Sequence, residues 1–444
     1  MSRLFGTDGV RGIAYEFLNR ELATNIGKAL GYILNKDDAK ILIGCDTRES
    51  GKMITDALCE GLCAYGCSCF TTGTVSTPAI AYLTKSYGFD AGIMVTASHN
   101  PYEYNGIKIF GKDGFKLSDE KEDEIESLIS SEKLTAPEGK TGKVIHNEEL
   151  KKEYSDYLIS AGASLSGIRA VIDCANGSAC STAQEIFTAL GADCEFIGIS
   201  PDGKNVNKDC GSTHLDKLKA HMAEGNFDIG IAFDGDADRC LAIDEMGNEI
   251  DGDHILAILS VNMKRKGKLN SDTVVGTVMA NCGFSKFCSD NGIRFIPTKV
   301  GDRYVLEEME RGSYSLGGEQ SGHIIIRELA TTGDGQLTAI MLMAAMKESG
   351  LPLSKLAAIC KKYPQYMVNV NATASQKAAL ATDKRILNII NNANIELSSS
   401  GRLLVRASGT EPLIRIMVES DNEERTKALC CKIASDIKEC LSEY

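Results

Sequence analysis

The sequence predicts an α/β protein of several domains whose strands pair largely in parallel. Two observations carry this. Short apolar runs with buried-strand character alternate along the chain with amphipathic helical segments, the pattern of strands covered by helices. The 444 residues also exceed what one hydrophobic core supports, which implies two to four domains. Composition agrees, since 43% hydrophobic and 25% charged residues are ordinary for a globular chain.

The run from Ala39 to Gly44 reads as a buried strand leading into Cys45-Asp46-Thr47-Arg48. Ile54, Leu58, Leu62 and Tyr65 then recur on one helical face. The run Ala91–Val95 is the next buried strand, and the Asn100-Pro101 pair marks the turn after it. Residues 118–152 are charged and interrupted by Pro137 and several glycines, which predicts an exposed helix, a short strand and a link to a second domain. Strand followed by polar loop returns at Ile168 to Ile172 before Asp173, and at Asp228 to Phe233 before Asp234. These echoes fit repeated α/β units of about 100 residues. A hinge is expected around Tyr363-Pro364-Gln365-Tyr366, with alternating strands and helices of a smaller final domain beyond it.

The net charge of −13 argues against nucleic acid and anionic membrane as partners. An anionic substrate then requires a local cationic cluster, for which Arg11, Arg239, Arg406 and Arg415 are the candidates. Met1-Ser2-Arg3 leads into a polar, Gly-rich motif rather than a secretory signal, and no apolar stretch reaches membrane-spanning length. The expected location is cytoplasmic. The sixteen cysteines therefore read as small buried thiols rather than a disulfide framework. Cys59, Cys63 and Cys67 recur every four residues, which predicts a shared helix face, and the paired C-x-x-C spacing of a zinc site is missing.

Four polar loops carry the chemistry. In Thr96-Ala97-Ser98-His99-Asn100-Pro101, Ser98 stands at the exit of a buried strand, where a hydroxyl is well placed to meet a ligand. His99 beside it either orients the loop, contacts phosphate or makes an ordinary turn hydrogen bond. Asp234, Asp236 and Asp238 alternate, so in an extended loop their carboxylates converge. Three uncompensated carboxylates raise one another's pKa, and a hard divalent cation resolves this, with oxygen-only ligation favouring magnesium over zinc. Lys108 is a candidate general acid/base if its pKa is depressed, and otherwise neutralises charge. Arg11 either joins it or clamps its own Gly-rich turn. In Gly318-Glu319-Gln320-Ser321-Gly322-His323, Glu319 and Ser321 suit sugar hydroxyls, and His323 is a second proton-transfer candidate. Arg406, Ser408, Gly409, Thr410 and Arg415 combine forked cations, hydroxyls and a tight turn, the make-up of a phosphate nest.

In this order, the four loops resemble the α-D-phosphohexomutase superfamily. The opening Phe5-Gly6-Thr7-Asp8-Gly9-Val10-Arg11-Gly12 and Gln320 are similar, more narrowly, to the phosphoglucosamine mutase family, whereas Ala237 stands where that family often has glycine. The likeness runs from residue 4 to about residue 418. It implies three similar α/β domains with mixed sheets and a smaller C-terminal α+β domain around a central cleft, spanning 1–152, 153–252, 253–366 and 367–444. It implies that Ser98 carries a phosphate and that Mg2+ is held by Asp234, Asp236, Asp238 and an oxygen on Ser98. Substrate would be held by Arg239, Glu319, Ser321 and the Arg406–Arg415 group, and Thr298-Lys299-Val300-Gly301-Asp302-Arg303 resembles a segment that meets substrate or its phosphate. The implied activity interconverts glucosamine 6-phosphate and glucosamine 1-phosphate through a sugar 1,6-bisphosphate, which also acts as activator. That reaction feeds UDP-N-acetylglucosamine and cell-wall synthesis, and a homodimer is expected. The alternatives are a phosphoglucomutase or phosphomannomutase, a metal-dependent sugar phosphatase, and a non-catalytic phosphosugar sensor.

Overall fold

The apolar runs become strands buried on both faces, as helix-covered sheets require. Ile41, Leu42, Ile43, Ile93, Met94 and Val95 are all fully buried. The computed structural model describes residues 3–6, 8–131, 134–139, 141–398, 400–408 and 412–444. The first sheet contains β1 (Val10–Ile13), β2 (Lys40–Cys45), β3 (Ser68–Thr74), β4 (Ala91–Val95), β5 (Tyr104–Gly111) and β6 (Val144–His146), in the order β1-β5-β4-β2-β3-β6. The second contains β7 (Arg169–Asp173), β8 (Asp193–Ile197), β9 (Ile229–Phe233), β10 (Cys240–Asp244) and β11 (Glu249–Ile250), ordered β11-β10-β9-β7-β8. The third contains β12 (Thr273–Thr277), β13 (Arg294–Thr298), β14 (Leu316–Gly318) and β15 (Ile324–Ile326), ordered β13-β12-β14-β15.

Each of these sheets is mixed, as the resemblance implies, with parallel pairing over the larger part. β2, β3, β4 and β6 pair in parallel, as do β7, β8 and β9, and β12, β13 and β14. One side of each sheet is antiparallel: β4 with β5, β9 with β10, and β14 with β15. The reason is connection length. A parallel neighbour needs a crossover of roughly a dozen residues or more, whereas a short loop joins only antiparallel strands. Val95 pairs with Ile107, Phe233 with Cys240, and Gly318 with Ile324. The loops closing these antiparallel pairs hold Ser98, the three aspartates and His323.

The helix Gly51–Cys63 buries Ile54, Leu58 and Leu62 as expected, but it stops at Cys63. Tyr65 and Cys67 therefore lie beyond the helix face predicted for them, although both are buried. Cys63 Sγ lies 4.0 Å from Cys69 Sγ, and all sixteen cysteines are free thiols. The charged stretch forms the helix Asp119–Ser130, with three acidic residues in its first turn, followed by the exposed strand β6. Acidic side chains there complement the positive end of the helix dipole. Among the described residues, no helix is long and apolar enough to cross a membrane.

The chain divides into two units: Met1–Met279 with Gly292–Ile359, and Ala280–Asn291 with Cys360–Tyr444. The second contains the antiparallel sheet β16 (Gln365–Asn371), β17 (Gly401–Ala407) and β18 (Leu413–Ser420), ordered β16-β18-β17. Ile414, Ile416 and Val418 of β18 share a core with Ile386, Leu397, Ile433 and Ile437 of the helices Lys384–Leu397 and Glu423–Leu441. The hinge read at residues 363–366 thus runs into a strand, since Gln365 and Tyr366 open β16. The helix Cys282–Asp290, placed by sequence in the third domain, belongs to this unit. Asn281 Nδ2 donates to the Tyr363 carbonyl, and the Cys282 N–H donates to Glu419. Such long-range bonds leave no local sequence pattern.

Candidate functional site

Ser98 follows β4 in a left-handed backbone conformation, φ +52°, and is 1% exposed. Its Oγ donates to Asp234 Oδ2 at 2.6 Å, with His99 Nδ1 at 3.3 Å. Asp234, Asp236 and Asp238 leave β9 in the loop that returns to β10, and all three are buried. Gly235 lets this loop meet the serine loop, because a Cβ there would sit 2.5 Å from the Ser98 carbonyl oxygen. Burial, then the charges of Asp238 and Asp236, push the Asp234 pKa well above the usual carboxylate range.

The three aspartates offer carboxylate oxygens that lie within 4.8 Å of one another. Oδ1 of Asp236 and Oδ1 of Asp238 are buried and have no hydrogen-bond partner among the described residues. Such oxygens are costly unless a positive group meets them. An all-oxygen cluster with spare acceptors fits a hard divalent cation, which takes six or more oxygen ligands. Ser98 Oγ stands beside it. Lys108 projects from β5 with 1% exposure, its Nζ 2.8 Å from Asp236, 3.1 Å from Asp238 and 3.1 Å from Asp8. Burial works against its charge, but these three carboxylates win and hold its pKa well above the ordinary lysine value. The depressed pKa considered for Lys108 is therefore not found, and the side chain is a fixed cation here. Burial likewise opposes the Asp238 carboxylate, yet Lys108 and His323 hold its pKa well below normal.

Around these groups runs a chain of alternating charge that the sequence did not announce. Arg11 and Lys116 both bond to Asp8, and Lys116 Nζ is 2.5 Å from Asp302. His323, 3% exposed, lies 3.6 Å from Asp302 through Nε2 and 3.7 Å from Asp238 through Nδ1. Burial disfavours the imidazolium, but Asp238 and Asp302 outweigh it and raise the His323 pKa. The Gly333 N–H donates to Nε2 at 3.0 Å and needs a lone pair there, so it opposes that protonation. The neutral tautomer with Nδ1–H facing Asp238 satisfies both neighbours. Burial, then Arg239 and Arg11, pushes His99 down to about 4, so His99 is neutral at pH 7. Thr77, also missed from sequence, donates to Asp236 Oδ2 at 2.5 Å. Only the Asp8 and Asp302 carboxylates had a sequence signal, as members of motifs read for other residues.

Arg239 follows the aspartates, and its Nε is buried with no hydrogen-bond partner among the described residues. Glu319 accepts from the Gly301 N–H at 3.2 Å, which ties the sugar-loop candidate to the Thr298–Arg303 segment. Gly322, at φ +93°, approaches so closely that a Cβ would lie 2.4 Å from the Cys240 carbonyl oxygen. Ser321 sits half-buried between them. Gln320 Nε2 contacts Asp253 at 3.3 Å, at the start of the helix Gly252–Arg265. Within the segment 298–303 the roles divide. Asp302 joins the charge chain, whereas Arg303 donates to the Leu117 carbonyl and pairs with Glu122 at 3.0 Å.

The remaining candidates lie in the second unit. Arg406 and Arg415 face each other directly across β17 and β18. Like charges opposite one another on a sheet repel, and an anion between them relieves this. The Ser408 N–H donates to the Leu413 carbonyl and closes the turn, and Lys377 Nζ donates to the Ser408 carbonyl at 2.7 Å. Gly409 and Thr410 lie outside the described residues.

Comparison with known proteins adds the following. Four profiles of the phosphoglucomutase/phosphomannomutase family match: alpha/beta/alpha domain I over residues 2–136, domain II over 152–247, domain III over 251–363 and the C-terminal domain over 367–435. The chain is 49% identical to the phosphoglucosamine mutase of Caldicellulosiruptor bescii, over 100% of both chains. It is 48% identical to that of Geobacillus kaustophilus, over 99% of both. Among solved structures, a phosphoglucomutase/phosphomannomutase family protein from Burkholderia thailandensis superposes with a TM-score of 0.82 at 21% identity, covering 100% of this chain and 98% of that one. An Aspergillus fumigatus N-acetylphosphoglucosamine mutase, in complex with GlcNAc-6P and magnesium, superposes at 0.69 with 16% identity, covering 98% and 95%. A variant of that enzyme, in complex with glucose 1,6-bisphosphate, superposes at 0.63 with 17% identity, covering 99% and 96%. At these identities the structures speak for the fold alone.

Proposed function

The chain belongs to the phosphoglucomutase/phosphomannomutase family, in its phosphoglucosamine mutase branch, and on that footing we propose that it interconverts glucosamine 6-phosphate and glucosamine 1-phosphate. The observation that carries this reading is the buried contact between Ser98 Oγ and Asp234, at the meeting of the serine and aspartate loops. Phospho-Ser98 gives its phosphoryl group to the free hydroxyl of the sugar monophosphate, forming a 1,6-bisphosphate. The bisphosphate turns over, and its other phosphate returns to Ser98 Oγ. Bisphosphate from outside therefore charges any serine that has lost its phosphate.

Asp234, Asp236 and Asp238 would hold Mg2+, which supplies charge neutralisation at the transferring phosphoryl group. Lys108, held as a cation by Asp236, Asp238 and Asp8, adds fixed positive charge beside Ser98. Arg11 and Arg239 have buried Nε–H groups without a hydrogen-bond partner among the described residues, which suit phosphate oxygens. His323 is the second proton-transfer candidate, and serving a substrate hydroxyl would require it to give up the Gly333 N–H at Nε2. Glu319 and Ser321 would bind sugar hydroxyls. Arg406, Ser408, Gly409, Thr410 and Arg415 would hold the phosphate that is not in transfer. A loop that reads phosphate rather than sugar accepts the intermediate in both orientations.

The domain limits at 152, 252 and 366 remain part of this proposal. So do a cytoplasmic location, in keeping with sixteen free thiols, and a homodimer, for which exposed Ile13, Tyr15 and Phe17 offer an apolar patch.

The test is turnover of glucosamine, glucose and mannose phosphates with matching bisphosphates, on protein whose phosphorylation is known from intact mass. Wild type should prefer glucosamine 1-phosphate in kcat/KM, and Ser98→Ala should have no mutase activity. Equal or reversed preference moves the chain to the phosphoglucomutase or phosphomannomutase reading. Turnover by Ser98→Ala rejects the phosphoserine, and net phosphate release without isomerisation makes the protein a phosphatase.

A further inference from the structure

Arg48 leaves β2 in the segment Cys45-Asp46-Thr47-Arg48 and is 3% exposed, in contact with buried Asp46. Its Nε donates to Asp46 Oδ2 at 2.8 Å. Nη1 donates to the carbonyls of Pro101 at 2.5 Å and Tyr104 at 3.0 Å, and Nη2 to those of Ser98 at 2.9 Å and Asn100 at 2.8 Å. A guanidinium has five N–H donors, and these contacts use all of them. None remains for a phosphate. Arg11 and Arg239 differ, because each keeps a buried Nε without a hydrogen-bond partner among the described residues.

The same loop is held from two other sides. Asn207 Nδ2 donates to the Ser98 carbonyl at 2.8 Å and to the Asn100 carbonyl at 3.3 Å. The Ser98 N–H donates to Thr96 Oγ1 at 2.9 Å, and Thr96 Oγ1 donates to Asp46 Oδ2 at 2.6 Å. Asp46 Oδ1 accepts from the Arg48 N–H at 3.0 Å, which closes the ring. Both backbone polar groups of Ser98 are thereby fixed, in a left-handed conformation that a residue with a Cβ adopts only at a cost. Only its side chain is left to address Asp234.

We propose that Asp46, Arg48, Thr96 and Asn207 are positioning residues that clamp the Ser98 backbone so that Oγ stays aligned for phosphoryl transfer. This rests on Ser98 being the phosphate carrier. Transfer occurs twice per cycle at one oxygen, with the sugar in opposite orientations. A carrier fixed by its own backbone serves both transfers without help from the substrate. The clamp touches neither sugar nor phosphate, so its loss lowers kcat and leaves KM alone.

Thr96 gives the cleanest test, because valine keeps its volume and serine keeps its hydroxyl. Thr96→Val leaves the Ser98 N–H without its acceptor and removes one of the donors to Asp46, which keeps those of Arg48. Displacement of a reacting group by about 1 Å costs on the order of 100-fold in rate. Thr96→Val should lose roughly 10- to 100-fold in kcat, equally in both directions, with KM within about twofold of wild type. The rate at which dephosphorylated enzyme takes phosphate from glucose 1,6-bisphosphate, followed by intact mass, should fall in parallel. Thr96→Ser should restore most of kcat. Asn207→Ala, which leaves every Arg48 bond in place, should show the same split, and it decides the matter if Thr96→Val does not fold. Wild-type kcat in either variant, a rise in KM at unchanged kcat, or equal loss in Thr96→Ser and Thr96→Val overturns the clamp. Wild type without mutase turnover, or Ser98→Ala with it, instead rejects the phosphoserine reading, so the two failures are distinguishable.

Discussion

Replacing Lys108 with methionine keeps the apolar stem and removes the one ammonium set among Asp236, Asp238 and Asp8. Breaking a buried charge pair costs about 3–5 kcal/mol; here Asp8 keeps Arg11 and Lys116, while Asp236 and Asp238 lose the cation nearest them. That corresponds to a fall in Tm on the order of 3–5 °C for a chain of this size. The pH dependence has a definite sign. The raised pKa of folded Lys108 means that its stabilisation is complete below the ordinary lysine pKa and is lost only as pH rises through the folded value. At pH 7 the wild type therefore has all of it. Asp8 and Asp238, held low in part by Lys108, contribute stability that is lost in the wild type as pH falls through their folded pKa values. In Lys108→Met these carboxylates lose that cation and their pKa values rise, so lowering the pH from 7 toward 5 should recover stability. Magnesium should raise the Tm of the variant more than that of wild type, because a cation then neutralises what lysine did. Turnover should fall at least tenfold through loss of fixed positive charge, roughly the effect of removing one transition-state contact. Differential scanning calorimetry at pH 5 and pH 7, with and without Mg2+, reads these effects in a protein that has no tryptophan. A Tm within about 1 °C of wild type at both pH values, a shift near 1 kcal/mol or less, refutes the electrostatic account.

Asp236→Asn removes one ligand charge and should weaken Mg2+ binding roughly tenfold or more, read as activity against free Mg2+, while unchanged half-saturation places the cation elsewhere. Arg406→Lys keeps the charge but loses the planar fork, and a charge-assisted hydrogen bond of about 1.5–3 kcal/mol sets an upper bound of roughly 10- to 150-fold on lost substrate affinity. Unchanged substrate Kd and unchanged bisphosphate release in Arg406→Lys remove residues 406–415 from the phosphate site. Asp334, which caps the helix Gly335–Ser349 and accepts from Tyr154 at 2.8 Å, is pushed by burial up to about 6. Its contribution is present below the ordinary carboxylate pKa and is lost as pH rises through 6, so Asp334→Asn, which keeps the acceptor for the Leu337 N–H and offers Tyr154 an amide donor instead, should flatten the stability profile between pH 4 and 7 by roughly 1–3 kcal/mol. An unchanged profile in chemical denaturation would show that Asp334 ionises freely.

The sequence by itself singled out the candidate groups. Ser98, the three aspartates, His323 and the Arg406–Arg415 pair were legible because each belongs to a polar loop bounded by an apolar strand, and composition and spacing within one loop are local properties. The helices Gly51–Cys63 and Asp119–Ser130 were legible for the same reason, through one buried face or one run of charge. Tertiary structure decided what those groups meet. Lys108 is held as a cation rather than a base because Asp8 and Asp236, 100 and 128 residues away in sequence, close on it. Arg303, in the segment that resembles one meeting substrate or its phosphate, pairs with Glu122, far away in sequence. Arg48 and Asn207, which hold Ser98, lie in segments whose composition is that of ordinary turns. Antiparallel edges that bring the motif loops back on themselves depend on strand order, which periodicity does not encode. An ion pair or a hydrogen bond to a distant carbonyl depends on distance in space, and one sequence records only distance along the chain.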